Sequence, residues 1–172
     1  MLFIATQNTL REIPRNLNTP DFYIEKISGD FLPVKRHFKN SHVYFVGTSR
    51  GCSCDFGIKS NQRDLSLIAE TPPIQKFMNK LRQLKGTLEK WEKRHEEKII
   101  KYGEEQQSYL LQTRKLIDVI LGEIQNGSSV EMYCVWAGGY NDEPEIYRTA
   151  NAAKENIRED FEIDEKEFTT FA

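Results

Sequence analysis

The chain has 172 residues, of which 38% are hydrophobic and 29% are charged, and its formal net charge is −2. This length suits one domain that buries its own core without disulfide bonds. The balanced charge gives no general attraction to nucleic acid or to an anionic membrane, and no run approaches the roughly 18 apolar residues of a membrane span. With three cysteines and no export signal, the sequence predicts a protein of the reducing cytoplasm.

Residues 1–70 contain short strand-like pieces separated by turn residues. An apolar strand is predicted at the very start, and a second one at 22–24, before a turn at 28–30. The strongest strand signal is His42–Gly47, which is rich in Val, Tyr and Phe. These pieces predict the first part of a sheet.

Residues 73–126 differ from what precedes them, because apolar side chains recur there at a period of about 3.6 residues. Pro73 fits the first turn of a helix, and Gly127 is a typical residue just beyond a helix end. One helix of this length would extend about 75 Å, which exceeds the diameter of a small domain.

We therefore predict that the helical region is broken at a glycine, since Gly86 and Gly103 both offer weak points. The prediction is two helices, 73–101 and 104–126, packed as an antiparallel hairpin. One long helix in a dimeric coiled coil is the alternative.

Residues 128–172 return to the alternation of strands. A period of two places Cys134 on the same sheet face as Met132 and Trp136, and we expect Trp136 in the core. A short helix is predicted at 150–157. One or two closing strands follow, marked by Phe161, Ile163, Phe168 and Phe171.

The order of these elements predicts an α+β fold: a mainly antiparallel sheet covered by helices, with a long helical hairpin at residues 73–126. The chain is expected to form a single domain, 1–172, with 73–103 as a projecting helical extension. The hairpin carries mixed charges, so we interpret its polar face as solvated and do not expect a nucleic-acid partner. Its predicted apolar seam contains Leu81, Leu84, Leu88 and Trp91.

Two cysteines, Cys52 and Cys54, follow the strongest predicted strand in a glycine-containing turn. With Cys134 they offer three thiolates, and His42 or His37 offers an imidazole, a ligand set that suits tetrahedral zinc. Structural zinc sites usually separate paired cysteines by two to four residues, whereas one residue separates this pair. Zinc is therefore an alternative, and no cofactor is expected.

A reactive thiol is a second alternative for the same turn. Arg50 and nearby backbone N–H groups would lower a cysteine pKa from its usual value of about 8.5, and His42 would act as a base. A labile disulfide among the three cysteines is a third alternative. The interpretation that we favour is that Gly51 and Gly57 form a tight turn in which the cysteines pack as small apolar side chains.

The runs Gly-Cys-Ser-Cys-Asp-Phe-Gly at 51–57 and Val-Trp-Ala-Gly-Gly at 135–139 each follow a predicted strand. Together they resemble a group of small uncharacterised bacterial proteins with a C-x-C turn, a helix, a Trp-x-Gly strand end and an acidic, aromatic C-terminal strand. The resemblance covers segments 42–57 and 130–171, and the long helix at 73–103 is an addition to that pattern. It implies a small cytosolic α+β protein and brings no activity with it.

The expected function is that of a non-enzymatic binding or interaction module. Its long helices would dock on a protein partner or on a second copy of the chain, and no membrane partner is expected. The alternative is a thiol- or metal-dependent protein centred on Cys52, Cys54 and Cys134. Replacing Leu84 and Leu88 with Glu is expected to abolish association in the first case only.

Overall fold

The computed structural model describes residues 1–16, 22–48, 56, 88–151, 157, 161 and 163–172, with the backbone alone for 88–103, 105, 106 and 109. Within these residues six strands form one mixed sheet in the order β2-β3-β1-β4-β6-β5. The strands are β1 (Leu2–Thr6), β2 (Tyr23–Lys26), β3 (His42–Gly47), β4 (Val130–Cys134), β5 (Ile146–Ala150) and β6 (Glu167–Phe171). A 3₁₀ segment, Gly29–His37, and one α-helix, α1 (Leu88–Gln125), complete the described elements.

Strand β1 lies near the centre of the sheet and pairs antiparallel with β3 on one side and β4 on the other. All five of its residues are buried, because both faces of the sheet are covered. A strand that is buried on both faces is apolar throughout, which explains the unbroken run Leu2, Phe3, Ile4, Ala5. The pairing of β5 with β6 is parallel, and so the sheet is mixed.

The helix covers one face of the sheet with aliphatic side chains. Leu116, Ile117 and Ile120 are fully buried and pack in one cluster with residues such as Ile4 and Met132. The helix ends in a Schellman turn: the Ser128 N–H donates to the Glu123 carbonyl at 3.0 Å and the Gly127 N–H to the Ile124 carbonyl at 2.9 Å. The Gly127 φ of +78° is the left-handed conformation that this turn requires, and the predicted stop is confirmed there.

The opposite face of the sheet is covered by the 3₁₀ segment and by the loop after β4. Its cluster is largely aromatic, and it is formed by side chains that include Phe3, Tyr23, Phe45, Tyr133 and Phe168, with Phe31, Phe38 and Tyr140 packed against them. The Phe31 and Phe45 rings stack with centroids 5.1 Å apart, and Phe3 meets Phe45 edge-on at 5.5 Å. Both cores contain aromatic side chains, and they make up the larger share on the face opposite the helix.

The predicted fold class is wrong in its helical part and incomplete in its sheet. The described helix is continuous from Leu88 to Gln125 and passes through Gly103, so no hairpin forms there. One glycine costs a helix only about 1 kcal/mol, which flanking helix-forming residues offset. The rest of the predicted hairpin, 73–87, lies outside the described residues.

Two predictions near the C-terminal end of the chain also need correction. The sequence missed strand β5, Ile146–Ala150, which includes the first residue of the predicted helix at 150–157. Residues 152–156 of that helix lie outside the described part, and Ile157 is helical. Trp136, which we expected in the core, is 62% exposed, because β4 ends at Cys134 and the chain turns away from the sheet. None of the helical segments in the described residues combines the length and the apolar character needed to cross a bilayer.

Candidate functional site

The predicted thiol or metal site was to combine Cys52, Cys54 and Cys134 with His42. Cys52 and Cys54 lie outside the described residues. In the register of β1, Cys134 lies opposite Leu2 and His42 opposite Thr6, so these two positions are at opposite ends of the strand. They are about 13 Å apart along the strand direction, and β3 and β4 are also two strands apart, so the structure does not bring them together.

His37 does not join Cys134 either. Its ring packs on Tyr133, with centroids 5.2 Å apart, on the aromatic face of the sheet. Cys134 packs instead against the aliphatic cluster beneath α1, on the face that strand alternation predicts for it. In the parts of the chain that the structure describes, no three His, Cys, Asp or Glu side chains lie close enough to hold a metal ion.

Cys134 lines an open cavity of about 180 Å³ with Phe56, Trp136, Ile163 and Glu165. Burial raises the pKa of the Cys134 thiol. The positive charge of the N-terminal ammonium group opposes this shift, and the negative charges of Glu165 and neighbouring acids add to it. The thiol therefore stays protonated at neutral pH, and a protonated thiol is a poor nucleophile and a poor metal ligand. Cys134 serves as part of an apolar wall, and a thiol-dependent activity at Cys52 and Cys54 stays a prediction.

Trp136 stands at the mouth of this cavity, in a turn closed by the Gly139 N–H donating to its carbonyl at 3.0 Å. The turn is tied to the sheet by the Tyr133 hydroxyl, which donates to the Asp142 carbonyl at 2.8 Å. Burial raises the Tyr133 pKa to about 12, so the hydroxyl keeps its proton and its hydrogen bond at physiological pH. Two glycines after Trp136 were the sequence signal that this aromatic leaves the sheet.

The predicted interaction seam falls only partly within the described residues. Leu81 and Leu84 lie outside them, while Leu88 and Trp91 belong to the first turns of α1, where the structure gives the backbone alone. From Leu110 onward the helix packs on the sheet. Leu88 and Trp91 thus lie on the same continuous helix as the core-facing residues, at its other end.

A second cavity, of about 210 Å³, lies on the aromatic face near β5. Its lining includes Glu131, Tyr147 and Phe168, none of which the sequence singled out as functional. Glu131 alternates with apolar residues in β4 and so looked like a solvent-facing position. It is buried because the segment at 39–40 packs against it and donates two backbone hydrogen bonds to its carboxylate.

Comparisons of the chain with models of protein families, with curated proteins and with solved structures found no match. The resemblance to small bacterial proteins noted above therefore stays an expectation. The function has to be argued from the residues of this chain.

Proposed function

We propose that this chain is a non-enzymatic binding protein that associates with a second copy of itself through the N-terminal half of α1. The observation that carries the proposal is the length of this helix. Its 38 residues extend about 57 Å at 1.5 Å per residue. The six strands together measure only about 24 Å across, at about 4.8 Å between neighbouring strands.

The described side chains of α1 that pack against the sheet lie between Leu110 and Ile124. At 100° per residue, positions 91, 102 and 109 fall within about 40° of position 116, which faces the sheet and is fully buried. These positions hold Trp, Tyr and Tyr. The same range of angles also holds Arg94, Lys98 and Glu105. The stripe that faces the core thus continues toward the start of the helix as a mixture of aromatic and charged positions.

A second copy of the chain is the occupant that the sequence of this half favours. Basic and acidic residues alternate closely along 89–105, so that neither sign dominates and two identical helices can align opposite charges. Most of the stability of a helix in a protein comes from the packing of one of its faces rather than from the helix propensity of its residues, so a partner along this half would stabilise it. Pairing along the stripe would remove the aromatic positions from water.

The test is the mass of the full chain in solution, measured by light scattering at two concentrations tenfold apart. The wild type is expected to be a dimer at the higher concentration. The double variant Leu88→Glu, Trp91→Glu is expected to be a monomer. The contribution of the sheet to its far-ultraviolet circular dichroism spectrum is expected to be unchanged. Lys93→Glu is the matched control, since position 93 lies on the opposite side of the helix and receives the same side chain.

A wild type that is monomeric at both concentrations would contradict the proposal. So would a double variant that keeps the dimer mass, because the seam would then carry no part of the contact.

A further inference from the structure

Three neighbouring strands carry a row of aromatic side chains on the sheet face opposite α1. The register places Tyr133 beside Phe168 and Phe168 beside Tyr147. Ring centroids lie 6.2 Å apart in the first pair and 5.9 Å apart in the second. Tyr133 and Phe168 are buried, whereas Tyr147 on the edge strand is 70% exposed. The row therefore ends in an open aromatic ring.

A polar row runs directly beside it, formed by Glu131, Thr170 and Thr149 on the same three strands. Glu131 is only 5% exposed although it carries a carboxylate. Its Oε2 accepts hydrogen bonds from the backbone N–H groups of Lys39 at 2.9 Å and Asn40 at 2.8 Å. Within the described residues both hydrogen bonds of this carboxylate end on Oε2, which leaves Oε1 to a molecule in the cavity that Glu131 lines.

The cavity of about 210 Å³ lies between the two rows and the segment that contains His37 and Lys39. It is smaller than the usual pockets of roughly 300–1,000 Å³ that hold drug-sized molecules. Tyr147 and Glu131 lie two strands apart in adjacent rows, so their Cα atoms are separated by about 12 Å. Their long side chains shorten this gap to the width of a molecule with one or two rings.

The geometry points to a binding site for a nucleobase, taken up as a free nucleoside. The flat ring would stack on Tyr147 at the end of the aromatic row, and an amino group on the edge of the base would donate to Glu131 Oε1. The threonine hydroxyls beside Glu131 would serve the remaining polar atoms of the ligand. This site does not depend on the self-association proposed for α1, because the two lie on opposite faces of the sheet.

The buried carboxylate of Glu131 makes the site prefer nucleosides whose base carries an amino group. Cytidine, adenosine and guanosine each carry an exocyclic amino group that can donate to a carboxylate. In uridine a carbonyl oxygen replaces the amino group of cytidine, and this acceptor facing Glu131 Oε1 would leave that oxygen without a donor. Uridine is therefore expected to bind about tenfold more weakly than cytidine.

The first experiment is an NMR titration of the full chain with each of the four nucleosides. Shifts are expected for Tyr147 and Phe168, and Tyr147→Ala is expected to weaken cytidine binding about tenfold, the effect of losing one base–aromatic stack. Tyr147 is exposed, so its replacement leaves the core intact. Ile146→Ala is the matched control, because Ile146 is also exposed but points to the other face of β5. The absence of binding by all four nucleosides overturns the proposal, as does an equal loss in both variants.

The second experiment uses Glu131→Gln, which keeps an oxygen for the backbone N–H groups of 39 and 40 and presents an amide donor to the cavity. The preference for cytidine over uridine is expected to disappear or to reverse, while the melting temperature without ligand changes little. An unchanged preference in a folded variant overturns the role of Glu131 and with it the proposed orientation of the base.

Discussion

The two faces of the sheet are equally well buried, but different kinds of structure cover them. On one face a helix supplies aliphatic side chains and satisfies its own backbone hydrogen bonds. On the other face the cover is a 3₁₀ segment and two loops, whose backbone groups need partners from the sheet. Buried polar side chains provide these partners: Glu131 accepts from the segment at 39–40, and Asn40 Nδ2 donates to the carbonyls of Ala5 and Ser129. An irregular cover therefore depends on a few specific hydrogen bonds as well as on packing.

The largest losses of stability are expected on β1, where neighbouring residues point to opposite faces of the sheet. Phe3 is fully buried and meets the rings of Phe31, Phe45 and Tyr140 edge-on. Phe3→Ala is expected to lower the free energy of unfolding by about 4 kcal/mol, and Ile4→Ala, toward the helix, by about 3 kcal/mol. Urea denaturation measures both. A smaller loss at Phe3 than at Ile4 would mean that the aromatic cover is loosely packed.

The buried amide of Asn40 tests the polar part of the comparison. Asn40→Ala leaves two carbonyl groups without their donor, and a loss of about 2 kcal/mol in unfolding free energy is expected. Asn8 is the matched control on the side of the helix end, because it is exposed and its amide donates to Ser128 Oγ at 2.7 Å. Asn8→Ala is expected to change the stability by less than about 0.5 kcal/mol. Equal effects of the two substitutions would contradict the idea that the irregular cover depends on buried polar contacts.

Two glycines at the end of α1 should respond in opposite directions to the same substitution. Gly127 has a φ of +78°, and Gly127→Ala is expected to destabilise the protein by about 1 kcal/mol through backbone strain. Gly122 lies inside the helix with no atom within 4 Å of an added Cβ. Gly122→Ala is expected to raise the stability by up to about 1 kcal/mol. Thermal melts of the two variants measure the difference, and melting temperatures shifted in the same direction would contradict the Schellman turn.

The smallest expected effect is a pH dependence of the free energy of unfolding, and it involves the aromatic face alone. Burial lowers the pKa of His37 below its ordinary value of 6.5, although Glu143, 3.5 Å from Nδ1, opposes the shift. As the pH falls below about 6.5, the unfolded chain binds this proton before the folded protein does, so the free energy of unfolding decreases. Above 6.5 this contribution is constant. Urea midpoints at pH 7.5 and 5.5 are expected to differ less in His37→Gln than in the wild type, and identical pH slopes would rule out the effect.

The strands that the sequence predicted are those that bury apolar side chains. Strands β1, β3 and β4 were recognised because their apolar residues are nearly continuous or β-branched. Strand β5 was missed because four of its five residues are exposed at the edge of the sheet, so that no hydrophobic pattern marks it. The other edge strand, β2, was predicted because its first residues are apolar and buried. Local sequence therefore carries little information about an edge strand only where its residues are exposed.

The candidate sites show the same limit. The sequence drew attention to cysteines and to Trp136, because these residue types are often functional, but it could not place His42 and Cys134 at opposite ends of β1. The two rows beside the second cavity combine residues from β4, β6 and β5. Glu131 in β4 is 16 residues from Tyr147 in sequence. These residues are neighbours because of the order of the strands in the sheet, and the spacing of residues along the chain does not predict that order.

The position of β1 between β3 and β4 has a consequence during synthesis of the protein on the ribosome. Leu2 is paired on one side by Val46 but on the other by Cys134, which is synthesised much later. At about 5–20 residues per second, translation leaves one edge of the most apolar strand without a neighbour for roughly ten seconds. During that interval the nascent chain offers an open template for pairing with a strand of another chain.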